Sequence, residues 1–332
     1  MSSTAPSPLD LVIVGAGPSG LAVAIAAHQA GLRYEVLEKG VLVNSIFNFP
    51  RHMTFFTTSD LLEIGGLPFV TPYEKPTQAE GLKYYRRVSE SYGLQLSLGE
   101  AVTGLRCEDG LFAVESLRAG EAVGRRARNV ALATGYYDHP NRLGIPGEEL
   151  PHVFHYYDEA HPFWRQEVVV VGGKNSAAIA ALELHRAGAR VRLVHRGATL
   201  SDSIKYWIRP DIENRIKEGS VIAHYQTTVQ AIRPGSASLQ GPAGPFEVAA
   251  QAVFLLTGYH PDTALLEQAG VTVDPTSLIP DHKPDTLETN VPGLYLAGAL
   301  VSGRLTSRIF IENGRFHGET IVRSIVAAGR RA

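Results

Sequence analysis

The chain has 332 residues, of which 44% are hydrophobic and 19% charged, and its formal net charge is −2. At about 150 residues per domain this length predicts two domains, and the balance is that of a globular protein with full cores, not of a disordered chain. A near-neutral charge without runs of like sign lacks the footprint that a polyphosphate backbone needs, so nucleic acid is not an expected partner.

In chain order, the opening "MSSTAPSP" has no basic residue, and the apolar run behind it stops at Gly15. That pattern fits neither a signal peptide nor a membrane span and reads as the frayed terminus of a cytoplasmic protein with no membrane partner. "LDLVIVGAGPSGLAVAIAAHQAGLRYEVLEKG" then runs as strand, glycine-rich turn, small-residue helix and strand, ending in an acid. In such a βαβ unit Gly15 allows the tight turn, Gly17 admits a pyrophosphate against the backbone, and Gly20 lets helix and strand pack closely. Pro18 and Ser19 open the helix. Glu38 falls 23 residues after Gly15, where a carboxylate accepts hydrogen bonds from ribose hydroxyls, with Lys39 beside it.

Farther along, "LRCEDGLFAVES" reads as a strand of a small β-meander holding the one cysteine, Cys107, as a buried structural residue. A single cysteine excludes an internal disulfide, a CxxC redox pair and a cysteine-rich zinc site, and no metal is expected. "NVALATGYYDHP" closes the first unit on Ala133, Thr134 and Gly135.

"EVVVVGGKNSAAIAALELHRAG" and "RVRLVHRG" repeat the device, with Gly172 and Gly173 in the turn and Lys174 in the slot of the second fingerprint glycine. The lysine Cβ holds the backbone away from a pyrophosphate, and its ammonium compensates. Asn175 and Ser176 either cap the helix or meet a phosphate. Counting 23 residues from Gly172 reaches His195, followed by Arg196. A basic pair in place of the ribose-binding acid suits a 2'-phosphate and so favours NADPH over NADH. Lys205 and Arg209 in "SIKYWIRPD" either close over that phosphate or are solvated. "AVFLLTGYHPD" repeats the closing Thr-Gly at Gly258, "TNVPGLYLAGALVSG" supplies another buried strand, and "TSRIFIENGRFHGETIVRSIVAAG" ends the chain as helix. The expected fold is α/β with two Rossmann-like domains: residues 1–140 with 259–332 form one, and 141–258 form an inserted second.

This organisation resembles the two-dinucleotide flavoproteins that include thioredoxin reductase. Within them, "SIFNFPRHMTFFTTSDLLEIGGLPF", "VFHYYDEAHPF", "VGGKNSA", "SIKYWIRPD" and "IFIENGRFHG" resemble the bacterial YpdA family, described as bacillithiol disulfide reductases. The resemblance implies FAD in the discontinuous domain, NADPH in the inserted one and a homodimer, and the lysine of "GGKNSA" is shared with that family. It also implies that Ile46–Ser59 lies along the isoalloxazine, with Phe47, Phe55 and Phe56 stacking on it or walling off water, and Thr57 bonding the ring edge. A helix beginning near Arg308, with Ile309 and Phe310, would face the flavin N1/O2 edge. Gly298-Ala299 stands where thioredoxin reductase has Gly-Asp. Ser19 stands where typical YpdA members have a cysteine, and a hydroxyl forms no thiolate near neutral pH.

Ser19, Phe55 and Thr57 are therefore the candidates at the reacting centre. Four readings stay open for the acceptor: a low-molecular-weight disulfide, a ferredoxin or flavodoxin, oxygen in a flavin monooxygenase, or no acceptor in a flavin sensor that binds NADPH without turnover. His155, His161 and His317 are the most suggestive histidines, each either packed or a proton donor.

Overall fold

The computed structural model describes residues 7–329; the terminus read as frayed lies, through residue 6, outside them. The chain divides into two compact units, one made of the residues up to His139 and from Tyr259, the other of Pro140–Gly258.

In the first unit, β1 (Leu9–Val14) is flanked in parallel by β2 (Tyr34–Glu38), which follows α1 (Pro18–Gln29). Two short helices, α2 (Asn44–Phe47) and α3 (Ser59–Leu62), precede α4 (Gln78–Tyr92), which starts on a capping box between Thr77 and Glu80. The strands β3 (Leu96–Leu98), β4 (Glu100–Glu108), β5 (Leu111–Arg118) and β6 (Glu121–Leu132) follow. The long β6 joins the parallel and antiparallel parts of one seven-stranded sheet. Its first half pairs antiparallel with β5, and its last residues pair parallel with β1. Alternate residues of β1 enter two cores, Leu11 and Ile13 on one face and Val12 and Val14 on the other, which explains its unbroken apolar run.

The string "LRCEDGLFAVES" is a hairpin and not one strand. Asp109 and Gly110 both take positive φ (+51° and +74°), the conformation that a two-residue Asp-Gly turn favours. Cys107 is exposed, not buried. It lies across from the buried Phe112 close to the turn, on β4, the edge strand of the sheet.

The second unit adds β7 (Val153–Phe154), β8 (Glu167–Val171), α5 (Asn175–Arg186), β9 (Arg190–Val194), α6 (Arg209–Lys217) and β10 (Val221–His224). The strands β11 (Thr228–Arg233), β12 (Gly235–Gly241) and β13 (Gly244–Ala250) form an antiparallel sheet, and β14 (Ala252–Leu255) returns to the parallel one, ordered β10-β9-β8-β14-β7. One face of the parallel sheet packs on α5 and α6, and the other packs on the antiparallel sheet through Val169, Val194 and Val253.

The chain then re-enters the first unit as α7 (Ala264–Gln268), β15 (Leu294–Leu296), which pairs parallel with β6, α8 (Ile311–Gly314) and α9 (His317–Gly329). α9 crosses α1 at van der Waals range, because a Cβ at Gly318 would run into the backbone of Ala22. Gly20 through Ala27 of α1 are all buried, apolar on every face, so sheet and helices close in around it. Among the described residues no helix is long and apolar enough to cross a membrane.

The Gly318→Ala variant should lose about 1–3 kcal/mol by overpacking, measured as a lower urea midpoint. Gly329→Ala, whose Cβ would meet nothing, should leave the midpoint nearly unchanged.

Candidate functional site

The first glycine turn is built from backbone contacts. Gly15 has φ +106°, and a Cβ there would stand 2.5 Å from the carbonyl oxygen of Ala133 at the end of β6. A Cβ at Gly20 would run into the carbonyl oxygen of Gly15. Gly17 is the N-cap of α1, with open space over its Cα and no side chain capping the helix, and Pro18 starts the first turn. The first N–H groups of this 12-residue helix have no intrahelical partner, and with open space over Gly17 the helix head suits a phosphate.

Around this turn, the buried Glu38 carboxylate accepts from the Ala16 N–H (2.8 Å) and the Gly40 N–H (2.9 Å). It pins the turn and keeps further lone pairs for a ribose hydroxyl. Lys39 pairs with Asp138 at 2.9 Å. Thr134 and Gly135 (φ +68°) continue from β6 beyond the Ala133 contact.

The Ser19 hydroxyl bonds to no group among the described residues. It lies so close to two other chain segments that a Cβ at Gly298 would come within 2.7 Å of it, and one at Gly314 within 2.9 Å. The structure thereby brings Ser19, Gly298 and the end of α8 together at the head of α1, with Ile309 against Gly314. Ala299 follows in a short 3-10 turn, Gly298–Ser302. Gly298 donates its N–H to Nδ1 of His317 at 3.0 Å. An amide only donates, so this imidazole is unprotonated at Nδ1. Burial, reinforced by His282 nearby, pushes its pKa down to about 4.

The segment expected along a flavin divides by exposure. Phe55 is core, its ring beside Gly81, whereas Phe47 and Phe56 are exposed and Thr57 is partly buried. The carbonyls of Ile46 and Phe47 both accept from the buried Gln78 amide at 3.1 Å, an anchor that sequence reasoning missed. The last helix pair starts later than expected, at Ile311 and not near Arg308. Phe310, half exposed, is its N-cap, with its N–H bonded to Asn313 Oδ1 at 2.8 Å. This capping bond from a side chain three residues inward fixes the helix start there.

In the second unit, Gly172 repeats the role of Gly15: a Cβ there would meet the carbonyl oxygen of Leu256 at 2.7 Å and the methyl of Ala177 at 2.7 Å. Ala177 is thus the third fingerprint residue. Lys174 is the N-cap of α5 with no side-chain cap bond. Asn175 does not cap the helix; it donates to Ser203 O at 3.2 Å and accepts from the Lys205 N–H at 2.9 Å, tying down the 201–205 loop. Ser176, next to it, is exposed.

Arg209 braces the same loop. It reaches Ser201 O (2.7 Å), Asp202 (3.2 Å) and Glu213 (2.8 Å). The Lys205 ammonium lies over the Trp207 ring, 5.9 Å from its centroid. The His195 ring fills the space over Gly173, and burial, with Arg196 beside it, lowers its pKa although it bonds to the Thr199 backbone. That leaves Lys174 and Arg196 as exposed cations whose side chains form no ion pair or hydrogen bond among the described residues. Gly258 (φ +88°) closes β14 beside Asn141, whose amide donates to Thr257 O at 3.2 Å.

Of the other two suggestive histidines, His155 approaches Arg142 at 3.1 Å and Glu148 at 3.8 Å, and burial is the main cause of its lowered pKa. His161 begins a 3-10 turn.

Two open helix heads, each at the end of a parallel strand in its own sheet, define a protein built for two dinucleotides. The model of the family described as pyridine nucleotide-disulphide oxidoreductase matches residues 12–298. The chain belongs to this family of FAD-binding, NAD(P)H-dependent oxidoreductases. It is similar to bacilliredoxin reductase Bdr of Bacillus subtilis, with 41% identity covering 95% of this chain and 96% of that protein. Among solved structures, bacillithiol disulfide reductase Bdr (YpdA) from Bacillus cereus superposes with TM-score 0.95 at 39% identity, covering 97% of this chain and 100% of that one. Its Staphylococcus aureus counterpart gives 0.92 at 36% identity, covering 97% and 99%. The resemblance read from the sequence is borne out.

His317 also predicts a pH dependence. The folded chain keeps it neutral down to about pH 4, whereas an unfolded chain protonates it below the ordinary 6.5. Its stabilisation is complete above about pH 6.5 and is lost as pH falls towards 4, a difference on the order of 3 kcal/mol. Urea melts between pH 7 and 4.5 should therefore fall less steeply for His317→Asn than for the natural chain.

Proposed function

We propose that the first unit holds FAD, that the Pro140–Gly258 unit holds NADPH, and that the electron pair leaves for a low-molecular-weight disulfide without passing through a protein thiol. The observation carrying this reading is where the sulfur is and is not. The head of α1 holds the hydroxyl of Ser19, and the chain's one cysteine, Cys107, is exposed on the hairpin of β4 and β5. FAD, when bound, accepts hydride from the nicotinamide and returns the electron pair to an acceptor.

What the chain supplies is binding and orientation. The head of α1 and the Glu38 carboxylate receive pyrophosphate and ribose, the 133–135 and 298–299 turns line the same end, and the Ile46–Ser59 segment with Ile309 and Phe310 borders the ring. On the second unit, Lys174 and Arg196 supply the charge for pyrophosphate and 2'-phosphate, while His195, neutral and packed on Gly173, shapes the turn. Arg209 and Asn175 set the loop that carries Lys205. By kinship with the bacillithiol disulfide reductases, the working assembly is a cytoplasmic homodimer. A small electron-carrier protein such as ferredoxin or flavodoxin is the second reading, because the lack of a site thiol suits a one-electron partner equally well.

The Arg196→Gln variant should raise the KM for NADPH about 10-fold or more, the size of one lost charge-assisted contact, and move that for NADH less than about 3-fold. Equal effects on both would remove the 2'-phosphate assignment. The acceptor is tested by anaerobic NADPH oxidation with bacillithiol disulfide, where the balance is NADPH + H⁺ + RSSR giving NADP⁺ + 2 RSH. Two thiols per NADPH are expected. Fast bleaching of the yellow protein without thiol release would instead turn the reading to an electron-carrier protein.

A further inference from the structure

Behind the first glycine turn stands a group that the dinucleotide reading does not use. Three backbone segments converge on Ser19: its own helix head, the turn at Gly298 and the end of α8 at Gly314. Gly298 has φ +69°, and its N–H is the first of the 3-10 turn Gly298–Ser302, where a helical start leaves amides without partners. That amide is taken by His317 Nδ1 at 3.0 Å. The imidazole sits on the first residue of α9, one residue before Gly318, whose contact with Ala22 fixes α9 against α1. One side chain thus links the last helix, the Gly298 turn and the head of α1.

We infer that His317 is a positioning residue for the flavin nucleotide: its Nδ1 acceptor holds the Gly298 turn against Ser19 and so sets the width of the opening over the first glycine turn. This rests on the reading of that turn as the FAD site. The role needs an acceptor at the δ position and neutrality, since a protonated ring would present N–H to N–H. His282 stands in the same place electrostatically without sharing the task, because its own Nδ1 donates to Pro280 O at 2.7 Å. The Ser19 hydroxyl, which bonds to no group among the described residues, is the side chain that this clamp stands against.

The test compares three side chains at position 317 in the full-length chain, reading FAD affinity by flavin fluorescence and the shape of the visible flavin band, with Tm alongside. In His317→Asn the amide oxygen falls near the Nδ1 position, so FAD affinity should stay within about 3-fold of the natural chain. In His317→Leu the acceptor is gone, and FAD affinity should drop about 10-fold or more with a shifted band. Should the leucine variant fail to fold, His317→Gln replaces it: its oxygen lies one bond farther out, so polarity is kept, the bond is not, and FAD should again be loosened. The inference is overturned if the leucine or glutamine variant binds FAD as the natural chain does, or if asparagine loosens FAD as much as they do. Failure of the natural chain to bind FAD at all would overturn the cofactor reading itself, a separate outcome.

Discussion

Everything at the nucleotide end of the first unit depends on backbone meeting backbone with no side chain between. Gly15 lies against the Ala133 carbonyl, Gly20 against the Gly15 carbonyl, and Gly318 against Ala22. These contacts are non-directional and individually small, but each fixes a distance to within less than a methyl group, since interiors pack too tightly to absorb one. The helix head is open because Gly17 needs no room, and it stays pointed at that opening because the helix behind it cannot shift. Rigid support and an empty mouth are two results of the same residue choice.

The second unit reaches a similar end with different chemistry. Ala177 replaces the third glycine at the cost of one methyl, which Gly172 accommodates. Lys174 replaces the second, and a charged side chain now stands at the helix head that Gly17 leaves bare. One head is neutral and flanked by an acid, Glu38; the other is flanked by cations. The helix dipole contributes a similar positive end in both, so the two heads differ in the charge that their rim side chains present.

Much of this was legible in the sequence, because the signals are local. A glycine turn between an apolar strand and a small-residue helix needs only some thirty consecutive residues to declare itself, and both copies stand where that pattern puts them. The Asp109-Gly110 turn was equally local, yet apolar residues on both sides made one strand of it, and with the hairpin unseen the exposure of Cys107 went unseen too. Arg209 stayed open between closing over a phosphate and being solvated, because a long cation near a binding loop can go either way; its partners depend on how residues 201–213 fold. The bond between His317 and Gly298 had no local signal at all, since it joins two segments that only the crossing of α9 over α1 brings together.

The way the chain passes from one unit to the other has a consequence for its modularity. In the first unit the two loose ends are neighbours, with the His260 N–H bonded to His139 O at 3.0 Å, and in the second the Asn141 N–H bonds to Gly258 O at 2.9 Å. Each unit therefore closes on itself like a stem with paired bases, and the stretch between is topologically an insert. A cut at both stems followed by a tight join would leave neither sheet with a missing strand. Genetic excision, permutation or exchange of the Pro140–Gly258 unit is thus a matter of splicing at a pair of adjacent chain segments, with no need to rethread a core.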